Sequence, residues 1–227
     1  MLINREMWVP KPEAFNDPFD CSLVPGRTKT TVDLQHQLIQ IIGELYDPEE
    51  AEVQAREIKK RNESKPVTEI EDKSLSRHLE EAKDLGIFSL SEKNDSILMW
   101  SHYADDHKGF CIEFERRDQK ENFLSHFMCR RVQYSTRYPD LNRVLESLDV
   151  NFYSKAKDWN YEAEWRLVTK TGNIALPLPA PISSIIFGMR ASDRNMATVQ
   201  NFLKKENVSY YQAVRKPGEY ALEIRKI

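Results

Sequence analysis

Apolar residues recur at helical spacing through Leu34, Leu38, Ile41, Ile42 and Leu45, which predicts a helix over 31–46. Pro48 stands in the first turn of a second, highly charged helix predicted to run to about Arg61. Thr68, followed three residues later by Glu71, is a capping-box pattern for a third helix ending at Gly86. These three segments read as a polar helical insertion or lid near residues 30–86. Ahead of them, Leu2 to Val9 is the end of a helix or the lead-in to a short strand, closed by Pro10 and Pro12.

After Gly86 the pattern changes. Ile87 to Leu90 reads as a strand, and Asp95 or Ser96 caps a helix that Gly109 ends. In 110–115, Phe110, Ile112 and Phe114 share one face while Cys111, Glu113 and Glu115 share the other, which is strand alternation. Val132 to Tyr134, Trp165 to Val168 and Ile185 to Gly188 also read as strands, and 141–153 has helical spacing. Asp193 to Lys205 forms a last helix before two terminal strands, Ser209 to Val214 and Tyr220 to Ile224. Helices lead and strands cluster later, so the fold class is α+β, with a mainly antiparallel or split sheet core and flanking helices. The strands at 110–114 and 165–168 are expected to share a sheet, with Ile112, Phe114, Trp165 and Leu167 supplying core.

Composition narrows this reading. A chain of 227 residues fits a single domain carrying an insertion. Lys and Arg number 33 against 36 Asp and Glu, a net charge of −3, so no global basic field drives nucleic-acid binding. The apolar runs fall short of the ~20 residues a membrane span needs, and Met1 to Pro10 has no secretory pattern. Cys21, Cys111 and Cys129 are widely spaced and odd in number, which fits reduced thiols in a cytoplasmic protein. With 7 glycines, neither a phosphate loop nor a dinucleotide fingerprint can be written.

Chemistry concentrates in two clusters. On the helix after Ser96, His102 and Asp106 stand four apart, so Asp106 can orient the imidazole toward a ligand while Trp100 and Tyr103 supply an aromatic wall. The plain alternative is a surface ion pair beside ordinary core aromatics. In the second cluster, strand alternation puts Glu162, Glu164 and Arg166 on one face and Tyr161, Ala163 and Trp165 on the other. Two carboxylates so close repel unless a cation intervenes, and Arg166 is the local cation. A Glu-x-Glu strand entry suits a transferase that holds a ribose hydroxyl and stabilises an oxocarbenium-like centre. A solvated strand edge is the alternative, and on it Glu164 would contribute little to folding. Asn16 and Asp17, before Pro18, either grip a polar ligand or form an Asx turn pinned by Phe15 and Phe19. No metal site is expected, because no second liganding pair at helical spacing accompanies His102 and Asp106.

The segments Phe15-Asn16-Asp17-Pro18-Phe19, 99–112 and Trp159 to Arg166 occur in an order that resembles the uncharacterised bacterial domain-of-unknown-function 2971 family over nearly the whole chain. Members of that family open with a His-Tyr-Thr-like segment before the Asn-Asp-Pro-Phe loop, and that opening is similar to the dinucleotide-gripping start of ADP-ribosyltransferase-like toxins. The resemblance implies NAD as cofactor, Glu164 as the residue stabilising the ribosyl transition state and Glu162 as the one positioning a protein or nucleic-acid acceptor. Asn16, Asp17, Trp100, His102, Tyr103, Asp106 and Arg166 would then bind substrate or cofactor. It implies a toxin or phage-defence effector; because Met1 falls where the family has already passed its opening segment, either the start is truncated or this member is a degenerate relative that has lost the activity. The rival expectation is a non-catalytic nucleotide-binding or protein-interaction module.

Overall fold

The computed structural model describes residues 1–22, 50–54, 56–57, 82–118, 122–138 and 150–227. The helix expected over 31–46 lies outside them, as does most of the insertion. What is described of it, 50–54, 56–57 and 82–84, is helical. The helix expected over 141–153 is described only from 150, and its last turn ends before Tyr153.

The fold is α+β, and among the described residues the strands are divided among four small sheets. Strands β1 (Glu6–Val9) and β8 (Ile174–Pro177) pair antiparallel. Strands β2 (Gly86–Ser91), β7 (Glu164–Thr169) and β4 (Cys129–Arg131) form an antiparallel sheet with β7 at its centre. Strands β3 (Phe110–Phe114), β9 (Ile182–Phe187), β10 (Ser209–Arg215) and β11 (Leu222–Lys226) form the largest sheet, ordered β11-β10-β9-β3. In it β9 and β10 run parallel, joined through the helix Asp193–Leu203, while the other pairs are antiparallel. Strands β5 (Gln133–Ser135) and β6 (Ser154–Ala156) make a short parallel pair.

The expected strands at 110–114 and 165–168 are therefore both present, but they do not share a sheet. The partner of β3 is β9, and the partners of β7 are β2 and β4. Alternation fixes which face of a strand is apolar and is silent about which neighbour it bonds. The two sheets meet through packing instead. Phe114 contacts both the core of Met7, Val9 and Leu167 and the core of Ile182, Ile185 and Leu203. Leu167 is buried, whereas Ile112, Phe114 and Trp165 are partly buried against these cores.

The helix before β3 is shorter than its pattern suggests. Helix α1 (Ile97–Tyr103) is capped by the Ser96 side chain, which accepts from the Met99 amide, and it stops at Tyr103. Asp105, Asp106 and His107 then follow in the left-handed region, with φ of 46°, 51° and 67°. Such a run is costly for residues bearing a Cβ, so its surroundings must hold it. They do so through backbone bonds from Gly109 to Ala104 and from Arg190 to His107. The close approach of Gly188 completes the lock. A Cβ added there would lie 2.0 Å from the His107 carbonyl oxygen, a backbone atom that cannot step aside. Gly188→Ala should therefore cost about 3 kcal/mol or more by displacing the turn, measured as a fall in urea midpoint at unchanged m-value.

Helix α2 (Asp193–Leu203) is capped by Ser192 and buries Val199 and Leu203 on the largest sheet. Among the described residues, no helix is long and apolar enough to cross a membrane. All three cysteines are free thiols.

Candidate functional site: a buried ionic cluster under an aromatic rim

Glu162 and Glu164 lie at a change of structure and not along one strand. Glu162 ends a 3-10 turn (Lys157–Glu162), Ala163 takes a left-handed conformation with φ 45°, and β7 begins at Glu164. The two carboxylates still turn to the same point, because the kink at Ala163 folds one back over the other. That point is the ammonium of Lys155, from β6. Its Nζ lies 2.5 Å from Glu162 Oε2, 3.1 Å from Glu164 Oε2 and 3.6 Å from Asp20 Oδ2.

Arg166, one turn of the strand pleat further on, ties the cluster together from below and is 0% exposed. Its Nε donates to Glu164 Oε1 at 2.8 Å, and its Nη2 donates to Glu164 Oε2 at 3.0 Å and to Asp20 Oδ2 at 2.6 Å. Its Nη1 donates to the Phe152 carbonyl at 2.8 Å and to Cys21 Sγ at 3.1 Å. Every guanidinium nitrogen thus has a partner, which is the condition for burying such a charge. The expectation that Arg166 separates the two glutamates holds only in part: Arg166 serves Glu164, and Lys155 serves both.

The solvated-edge picture of Glu164 is overturned, since this side chain is 3% exposed. Burial pushes its carboxyl up, but the Arg166 hydrogen bond and charge, with Lys155 and Ser89, hold it below the usual carboxylate range. Burial lowers Lys155, yet Glu164, Glu162 and Asp20 together raise it above the usual ammonium value. Three carboxylates face two cations, leaving one formal negative charge in the cluster.

The cluster reaches the surface through tyrosine. Tyr103 is 53% exposed, and its hydroxyl donates to Glu162 Oε1 at 2.7 Å. Burial of the hydroxyl, then the bond to Glu162, raises its pKa above the ordinary phenol value, so it stands as a neutral donor. Asn16 hydrogen-bonds the same hydroxyl. Around it stand His102, whose Nδ1 shares a 3.2 Å hydrogen bond with Tyr161 Oη, and Trp159, whose ring faces Tyr161 at 6.0 Å and Lys155 Nζ at 5.1 Å. On the inner side, Tyr134 Oη accepts from the Glu164 amide at 2.8 Å.

The sequence-derived candidates divide on this geometry. Asn16, His102, Tyr103, Glu162, Glu164 and Arg166 come together. Trp100 does not: it is buried in the core with Ile186 and Ala213, its indole N–H donating to the Asn94 carbonyl at 2.7 Å, so it forms no wall. Asp106 does not orient His102, because the helix ends before it. It sits in the left-handed turn, 3.9 Å from Lys108 Nζ. Asp17 accepts from the Phe19 amide at 2.9 Å, an Asx turn, and of the two phenylalanines only Phe15 packs inward, since Phe19 is 70% exposed. Asp20, Lys155, Tyr134, Trp159 and Tyr161 join the site without having been candidates. Charge counting could have found Lys155: two glutamates against one arginine leave a deficit, and this lysine lies seven residues before Glu162.

Among the described residues, no group of three or more His, Cys, Asp or Glu could hold a metal ion. The carboxylates that do converge have an ammonium between them. A separate cleft of about 790 Å³ is lined by Met7, Phe123, Phe127, Met128 and Leu176, among others, and by no side chain of the cluster.

Residues 99–167, which take in most of α1 and most of the cluster, match the model of a family described as a protein of unknown function (DUF2971). No curated protein and no solved structure matches the chain. Over that span, just under a third of its length, the chain is similar to this uncharacterised family.

Proposed function

We propose that this chain is a binding domain for a small ligand of the nucleotide class, taken at the rim of Asn16, His102, Tyr103, Trp159 and Tyr161. The observation that carries this reading is Tyr103, an exposed ring fixed by its hydroxyl to a buried carboxylate. Aromatic faces stack bases, and a neutral phenol beside an amide and an imidazole offers donors and acceptors to a ribose or a base edge. Beneath them the ionic cluster acts as a rigid floor, because its members already satisfy one another.

A second reading, transfer of an ADP-ribosyl group from NAD, is favoured by the Glu-x-Glu pair converging on one cation. The geometry shifts the roles within it. Glu164 is held from below by Arg166 and Lys155, so in this reading Glu162, bonded to the exposed Tyr103, would be the carboxylate that meets a ribosyl centre. A toxin or defence-effector role depends on this transferase reading, as does an acceptor macromolecule.

Calorimetric titration with NAD, ADP-ribose and AMP tests the first reading. Saturable binding is expected, weakened about tenfold by Tyr103→Phe, which unties the ring from Glu162 and leaves it to be ordered on binding. Absence of binding by all three would remove it. Release of nicotinamide from NAD, lost about 10²–10³-fold in Glu162→Gln, would instead establish the transferase.

A further inference from the structure

We propose that two copies of this chain pair through β11, edge to edge and antiparallel about a two-fold axis at Ile224. Within the largest sheet, the Lys216 amide donates to the Ala221 carbonyl and the Ile227 amide to the Tyr210 carbonyl. The β10–β11 register runs from Arg215 opposite Leu222 to Tyr211 opposite Lys226. Residues 221, 223, 225 and 227 therefore turn their backbone groups toward β10, and Leu222, Ile224 and Lys226 turn theirs to the outer edge. Among the described residues, β11 pairs with β10 alone.

An outward row of amides and carbonyls is a template for another strand unless the side chains forbid it. Here they favour one partner. With Ile224 opposite its own copy, the two Ile224 residues exchange both backbone hydrogen bonds. Glu223 then falls opposite Arg225 of the second copy, twice by symmetry, at the closely spaced non-hydrogen-bonded positions, about 4.5 Å between Cα atoms. Glu223 and Arg225 are exposed and already lie on one face, 2.9 Å apart within the strand. Leu222 and Ile224, on the other face, pack toward Trp100 and remain only partly buried. A second strand would cover them with a β-branched pair at the axis. Axes at Leu222 or Lys226 lose this match, since neither sets Glu223 against Arg225. The charges of this edge complement their own reversed copy.

Sedimentation velocity and light scattering across about 1–200 μM chain test the pairing, with added NaCl weakening it as exposed charge pairs are screened. Wild type should dimerise. Glu223→Arg sets like charges opposite each other at two positions and should weaken the dimer about tenfold or more, as should Arg225→Glu, while the double reversal restores it. Circular dichroism and melting temperature check that each variant folds. A monomer throughout the range overturns the pairing. So does a dimer that neither single reversal weakens, or that the double reversal fails to restore.

Discussion

Arg166→Ala should lower folding stability by about 3–5 kcal/mol, read from urea denaturation, the largest loss expected of any single replacement in β7. The reason lies in what it leaves behind. Asp20 and Glu164 remain buried with their charge, and the Phe152 carbonyl loses its donor. A well-packed apolar pair in place of two partners costs far less than one partner orphaned. Glu164→Gln alone should therefore also destabilise, and the double variant should lose less than the sum of the singles, a positive coupling in the mutant cycle. Additive losses would mean that the two side chains do not act as a unit. A loss in Arg166→Ala below about 1 kcal/mol would place the guanidinium in water, against its complete burial.

This outcome differs from what the strand pattern alone suggests, and the difference is instructive. Alternation correctly grouped Glu164 and Arg166 on one face, because that relation is local and set by the pleat. It could not tell a solvated face from a buried one, since a run of Glu, Arg and polar neighbours reads as surface until a countercharge arrives from elsewhere. The countercharge comes from Lys155 and Asp20, the latter 146 positions before Arg166. Lys155 shows in the sequence only as the cation that the charge count lacks, and Asp20 carries no such sign. The same limit explains the sheets. The strands β3, β7, β9 and β10 were legible from apolar content, but β3 finds β9 and β7 finds β2 across long stretches of chain. Where the sequence misled locally, at Asp106, the cause was backbone geometry. Helical spacing continues past Tyr103, yet three left-handed residues break it, and their support comes from Gly188 and Arg190 in a distant loop. Tyr103 and Glu162, by contrast, were both singled out by residue type, and the fold brings them into contact.

Lys155→Met gives the sharpest test of how the cluster is held, because it should turn a flat pH dependence into one that favours acid. In the wild type, Glu164 is held below the usual carboxylate range, so its contribution is present above that range and fades as the pH falls through its lowered value. Lys155 is raised, so its contribution is present below the ordinary ammonium value and fades only at more alkaline pH. Both contributions are therefore complete from about pH 6 to 9, and stability there should be flat with respect to these groups. Removing the ammonium leaves Asp20, Glu162 and Glu164 facing Arg166 alone. The folded cluster then binds a proton more readily than the unfolded chain does, and stability must rise as the pH falls from 8 toward 5. The loss at pH 8 should be about 3 kcal/mol or more, the cost of leaving buried charge without its partner, and part of it should return at pH 5. Urea midpoints at pH 5, 6.5 and 8 measure this directly. Parallel profiles for wild type and Lys155→Met, offset by a constant, would show that the three carboxylates do not share the ammonium. A profile that rises toward acid in the variant and stays flat in the wild type would establish that Lys155 is what holds the carboxylates together beneath the Tyr103 rim.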